Sequence, residues 1–209
     1  MTDKEKIGLL GGTFNPIHRG HIELGIQIQK AFKLDRIFYI LSAQPPHKWY
    51  MEIAPVEIRW EMLNKALSSY PQLVPCDIEM KRPTMSWTID TVEELKQQYP
   101  ETDFYFISGS EGFLKIRTWK DYKRLLHSLS FIVILRKPGH KEAVEALMEQ
   151  EQIALDSPSS TVCLYNYQSD TLSISSTLVR DKVKHSQPVD DLVEEEVIKI
   201  MEENNLYES

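Results

Sequence analysis

The chain has 209 residues, 42% of them apolar and 26% charged, the composition of an ordinary globular protein able to bury one sizeable core. Its formal charge of -7 does not support a general grip on nucleic acid. No apolar run approaches membrane-spanning length, and Cys76 and Cys163 form no CxxC pair. The expectation is a cytoplasmic protein with reduced thiols, acting on something small or on another protein.

In chain order, KIGLLGG reads as a short buried strand. After Gly20, the residues Leu24, Ile28, Ala31 and Phe32 fall on one helical face. RIFYIL (36–41) is the next strand, followed by a long proline-rich loop, SAQPPHKWYMEIAP (42–55). Pro55 then leads into a helix with Val56, Trp60, Leu63 and Leu67 on one stripe. Ile89, Val92, Leu95 and Tyr99 mark another helix, and DFYFI (103–107) and SFIVIL (130–135) two more strands. ALDSPSSTVC (154–163) reads as a polar surface connection. A C-terminal helix over 188–203, led in by Pro188 and striped with Val189, Val193, Val197 and Ile200, is expected to contribute only bulk. Strands alternating with helices predict an α/β fold, a parallel sheet covered on both faces. No repeat or linker divides the chain, so residues 1–209 are expected to form a single domain. In such sheets the ligand crevice lies at the carboxyl ends of the strands, where the strand order reverses.

The stretch GGTFNPIHRGH (11–21) sits at one such strand end. His18 and His21 resemble half of a zinc site, but neither cysteine lies near them and no further ligand has sensible spacing. The glycines could simply turn the chain while the histidines cap or pack. A third reading uses more of the residues. Gly11 and Gly12 let backbone amides approach a ligand, a helix starting near Gly20 aims its positive end at the same space, and both imidazoles can donate to phosphate oxygens. The spacing is not that of the dinucleotide GxGxxG fingerprint. Far along the chain, SISSTLVR (173–180) offers a second helix start, with Ser175, Ser176 and Thr177 as cap residues and Arg180 one turn in. Alone it is also what a plain serine-capped helix with a surface arginine looks like.

These residues resemble the HxGH nucleotidyltransferase superfamily, and the GGTF and PIH elements most resemble its nicotinate-nucleotide adenylyltransferase branch. Asn15 stands where many members have Asp. SISSTLVR resembles the ISSTxxR signature, PPHK (45–48) the PxHK element, and SWTIDT the turn that meets the nicotinate end of the substrate. FISGSEGFLKIRTWKDY (106–122) resembles the GxDxxxxLxxW segment, with Glu111 in place of Asp, and LRKPG (135–139) resembles the RPG turn with Lys137 inserted. The resemblance implies a Rossmann-like doubly wound sheet and transfer of AMP from ATP to nicotinate mononucleotide. It implies that His18 and His21 hold phosphate oxygens, and that Arg180 with Ser175, Ser176 and Thr177 holds the leaving pyrophosphate. Lys48 neutralises phosphate near the reacting centre, and Gly11, Gly12, Thr13 and Phe14 line the substrate through their backbone. It implies that Thr88, Trp87 and Trp119 meet the nicotinate end and that the carboxylate of Glu111, in the segment where Gly109 aligns, meets the ribose; Arg136 comes just past a strand end, where a phosphate could sit. Mg2+ is the implied cofactor, held mainly by ATP phosphates and water rather than by a dedicated protein site. The same chemistry on pantetheine phosphate, a fragment of a class I aminoacyl-tRNA synthetase and a non-catalytic nucleotide sensor are the rival readings. Oligomeric state, a homodimer included, is left open.

Overall fold

The computed structural model describes residues 4–44, 53–82, 85–153, 155 and 161–208. Its six strands are β1 (Glu5–Gly12), β2 (Arg36–Leu41), β3 (Leu73–Cys76), β4 (Thr102–Gly109), β5 (Ser130–Leu135) and β6 (Val162–Asn166). They form one sheet in the order β3-β2-β1-β4-β5-β6, with every pairing parallel. This is the doubly wound, Rossmann-like arrangement of the expectation.

The strands read as continuous apolar runs because both faces are covered, and their residues alternate strictly between two cores. In β2, Ile37, Tyr39 and Leu41 face one core while Phe38 and Ile40 face the other. In β5 the split is Ile132 and Ile134 against Phe131 and Val133. The first core is closed by α1 (Arg19–Ala31), α2 (Val56–Leu67), α7 (Ser176–Lys184) and α8 (Glu195–Glu203). The second is closed by α3 (Thr88–Gln98), α4 (Ser110–Phe113), α5 (Tyr122–Ser128) and α6 (His140–Gln150). Val56, Trp60, Leu63 and Leu67 follow Pro55 as expected, and Ile89, Val92 and Leu95 are fully buried, but Tyr99, expected on the same stripe, lies just past the end of α3 and is exposed.

Several expectations need correcting. β3 and β6 occupy the two sheet edges and were not legible as strands. β3 has four residues and contains Pro75, which an edge strand tolerates because one flank needs no N–H donor. The polar connection of 154–163 ends earlier than expected, since Val162 already belongs to β6. On α1 the buried face is Ile22, Leu24, Gly25 and Ile28, and Ala31 is exposed. The last helix starts at Glu195, not at Pro188. Residues 190–192 make a turn instead, and the Leu192 carbonyl accepts the Arg19 N–H at 2.8 Å. The C-terminal segment therefore does more than fill space. It is tied to the start of α1.

Candidate active site

β1 is the strand at which the winding reverses, with β2 on one side and β4 on the other. A crevice is forced there, because the connections from neighbouring strands leave in opposite directions. Gly11 and Gly12 are the last residues of β1, not a turn. The turn falls on Phe14, whose backbone is left-handed at φ 45°. The glycines are there for space. A Cβ on Gly11 would meet nothing within 4 Å and would project into the cleft, whereas one on Gly12 would strike the Phe14 ring at 2.8 Å. The Phe14 side chain is core, packed edge-on to His21 with centroids 5.1 Å apart, so it is the Phe14 backbone that faces the site.

His18 caps α1 in an extended conformation, and its N–H donates to His21 Nδ1 at 3.3 Å. A neutral His21 accepting there carries its proton on Nε2. The two rings stack with centroids 3.6 Å apart. Burial, reinforced by the Arg136 cation, brings the His18 pKa down to about 3. His18 is thus neutral at physiological pH, and among the described residues its buried Nδ1 has no hydrogen-bond partner. Gly20 makes room for it, since a Cβ there would sit 3.1 Å from His18 Nδ1 and from the Thr171 carbonyl.

The second signature meets the first. Ser175 caps α7 by accepting the Leu178 N–H at 3.1 Å. Ser176 Oγ donates to the Pro16 carbonyl at 2.8 Å, and Arg180 Nη1 to the Asn15 carbonyl at 2.9 Å. Together Gly12, Thr13, Phe14, Asn15, His21, Ile53, Ser176, Thr177 and Arg180 enclose a cavity of about 250 Å³. Two helix N-termini and a guanidinium bordering one cavity are an arrangement suited to an anion.

Gly12 and Thr13 also belong to a larger cleft of about 930 Å³. Its walls include Gly11, Trp87, Thr88, Phe106 and Trp119, with Lys115 and Lys120 at hand. Trp119 packs edge-on against Phe106, with centroids 5.6 Å apart. Trp87, not a polar neighbour, is the N-cap of α3 and makes no side-chain cap bond. Asp90 is engaged elsewhere, accepting from Lys120 Nζ at 3.0 Å on each oxygen.

Sequence reasoning missed several groups in and beside this cleft. Ser86 Oγ lines it, buried and, among the described residues, without a hydrogen-bond partner. Glu79 lines it too, accepting from Thr91 Oγ1 at 2.9 Å, and burial raises its pKa. Arg59, 2% exposed on the buried face of α2, was invisible to a hydrophobic stripe. Its guanidinium donates to the carbonyls of Ala54, Thr13 and Ser42 at 2.8–2.9 Å and of Ala43 at 3.2 Å, clamping the ends of β1 and β2 together.

Not every expected residue joins the two cavities. Among the described residues, neither is lined by His18, Gly109, Glu111, Arg136 or Ser175. Glu111 pairs with Lys137 at 3.3 Å. Burial would raise its pKa, but its own amide, Lys137 and Arg136 hold the carboxyl below the usual range. Arg136 lies over the Tyr167 ring, 5.7 Å from its centroid. Lys48 and the rest of PPHK lie outside the described residues. No group of three or more His, Cys, Asp and Glu among the described residues could hold a metal ion, and no described helix is long and apolar enough to cross a membrane.

The fold and this pair of cavities are those of a nucleotidyltransferase, and residues 9–182 match the family described as cytidylyltransferase-like, to which the chain belongs. Within it, the chain is 32% identical over 203 residues to the "Probable nicotinate-nucleotide adenylyltransferase" of Desulfitobacterium hafniense (strain Y51), covering 97% of this chain and 96% of that one. It is 31% identical over 199 residues to the protein of the same name from Clostridium botulinum (strain Okra / Type B1), covering 95% and 97%. Among solved structures, the Plasmodium falciparum nicotinic acid mononucleotide adenylyltransferase complexed with NaAD superposes with a TM-score of 0.77 at 21% identity, over 97% of each chain.

Proposed function

We propose that this protein is a nicotinate-nucleotide adenylyltransferase: it moves AMP from ATP to nicotinate mononucleotide, forming nicotinate adenine dinucleotide and pyrophosphate in NAD biosynthesis. The observation that carries the reading is a polar cavity bordered by two helix N-termini that shares Gly12 and Thr13 with an aromatic cleft. The first suits a triphosphate and the second a flat pyridine ring. The acceptor's 5'-phosphate is already an anion, so attack on the α-phosphorus needs no nucleophilic side chain and no strong base. Positioning and neutralisation of developing charge suffice.

In this scheme His21 Nε2, Arg180 and the α7 amides hold phosphate oxygens. Neutral His18 keeps His21 in place by stacking and brings a second imidazole donor close by. Trp119, Trp87 and Thr88 receive the pyridine end, and Lys48 neutralises phosphate. Mg2+ fits as a companion of the nucleotide. Among the described residues the phosphate cavity offers hydroxyls of Thr13, Ser176 and Thr177 but no carboxylate, so a bound ion would be held mainly by phosphate oxygens and water and would neutralise phosphate charge.

Pyrophosphate release from ATP, measured with nicotinate mononucleotide, nicotinamide mononucleotide and pantetheine phosphate in parallel, tests the assignment. Turnover is expected with the first, and its absence there rejects the proposal. His18→Ala and His21→Ala should each lower kcat by about 100-fold or more with the circular dichroism spectrum unchanged. Full activity in either variant removes that histidine from the phosphate role.

A further inference from the structure

The end of the chain reaches back to the phosphate cavity. Tyr207, two residues from the C-terminus, is left-handed at φ 67° and donates its hydroxyl hydrogen to Asn15 Oδ1 at 2.7 Å. The same oxygen accepts the Ala54 N–H at 3.0 Å, so both of its lone pairs are engaged by protein donors. Asn15 is only 4% exposed. Its main-chain carbonyl is the acceptor for Arg180, and the next carbonyl, Pro16, is the acceptor for Ser176. Asn15 is therefore where the β1 loop, the segment leading into α2, α7 and the C-terminal tail meet. Burial raises the Tyr207 pKa well above its usual value, against the pull of Arg180 and Arg59, so the hydroxyl stays a donor. The position needs an oxygen that accepts two hydrogen bonds, and an amide oxygen supplies it.

We infer that Tyr207 is a positioning residue for adenylyl transfer: through Asn15 it holds the loop between Gly12 and His18 against Arg180 and α7, so that both halves of the phosphate cavity keep their relative placement. The inference rests on the phosphate role proposed above for that cavity. Replacing the phenol by a phenyl ring keeps the packing and removes one donor, leaving Oδ1 under-satisfied where water has little access.

The test uses full-length Tyr207→Phe, Asn15→Ala and the double variant, assayed with ATP and nicotinate mononucleotide. Tyr207→Phe should lower kcat about tenfold while the KM for nicotinate mononucleotide, bound in the aromatic cleft, stays within about twofold. In the Asn15→Ala background the same substitution should have no further effect. Wild-type kcat in Tyr207→Phe, or an equal drop in both backgrounds, overturns the inference. Hydrogen exchange supplies a readout that needs no turnover. Amides between Gly12 and His18, and that of Ala54, should exchange faster in Tyr207→Phe, and unchanged exchange overturns the inference whatever the activity. An inactive wild-type enzyme with altered exchange in the variant would instead reject the proposed function, and with it the catalytic part of the inference, while showing that Tyr207 holds the loop.

Discussion

A histidine held neutral by burial is a source of acid sensitivity, and His18 is such a group. Its pKa is lowered from 6.5 to about 3 in the folded chain. The unfolded chain thus binds the extra proton first as pH falls, and stability drops between about pH 6.5 and pH 3 by an amount on the order of a few kcal/mol. Above pH 6.5 the group contributes no pH dependence. Urea unfolding at pH 7 and pH 4 should show a smaller loss for His18→Asn than for the wild type. An equal loss would place the acid sensitivity elsewhere. Trp119 is the other residue whose role divides cleanly, because it both packs on Phe106 and lines the large cleft. If its face stacks on the pyridine ring, Trp119→Ala should raise the KM for nicotinate mononucleotide about tenfold or more, with kcat changed far less. An unchanged KM would make it a core residue only.

Among the elements, α2 does the least expected work. Its apolar stripe packs against β3 and α8, as any amphipathic helix would. Arg59, on the same buried side, ties together four main-chain carbonyls from the loops around the cavities. Arg59→Met fills similar volume but removes all four bonds, at a cost on the order of 3 kcal/mol. Arg59→Lys should recover only part of it, since an ammonium cannot reproduce the planar fork. Thermal unfolding of the two variants checks the order: wild type, then Lys, then Met. Equal melting temperatures for Lys and wild type would show that one or two of the bonds suffice. α1 illustrates a different economy. Gly25 lets it approach β2 so closely that a Cβ would lie 2.1 Å from the Tyr39 hydroxyl, which donates to the His21 carbonyl at 2.8 Å. The helix that presents the histidines is thereby fastened to the sheet.

At the scale of the molecule, both cores share one sheet, and the C-terminal segment completes the first of them. Val189, Val193, Val197, Ile200 and Met201 are all buried there. At roughly 2 kcal/mol per buried side chain they contribute about 10 kcal/mol, comparable with the entire stability of a typical domain. We therefore propose that residues 1–209 fold as one unit, and a chain ending at Gln187 should lose its cooperative thermal transition. A sharp transition in that truncated chain would show that the segment is dispensable.

The sequence by itself determined what depends on near neighbours: the strands β1, β2, β4 and β5, the buried faces of α2 and α3, and two helix starts fit for an anion. Apolar periodicity, proline and serine placement act over a few residues, so these features are legible without coordinates. The family resemblance then joined the two helix starts into one site. Only the tertiary structure decided the rest. It set β3 and β6 at the sheet edges, where a short strand or one containing Pro75 is stabilised by its neighbour rather than by its own pattern. It moved the start of the last helix to Glu195, placed Ser86 and Glu79 in the aromatic cleft, and spread the Arg59 clamp across two strand ends. It brought Tyr207 to Asn15 across 192 residues. A contact between groups so far apart along the chain leaves no period to read, because the packed sheet, not the local sequence, holds them within bonding distance.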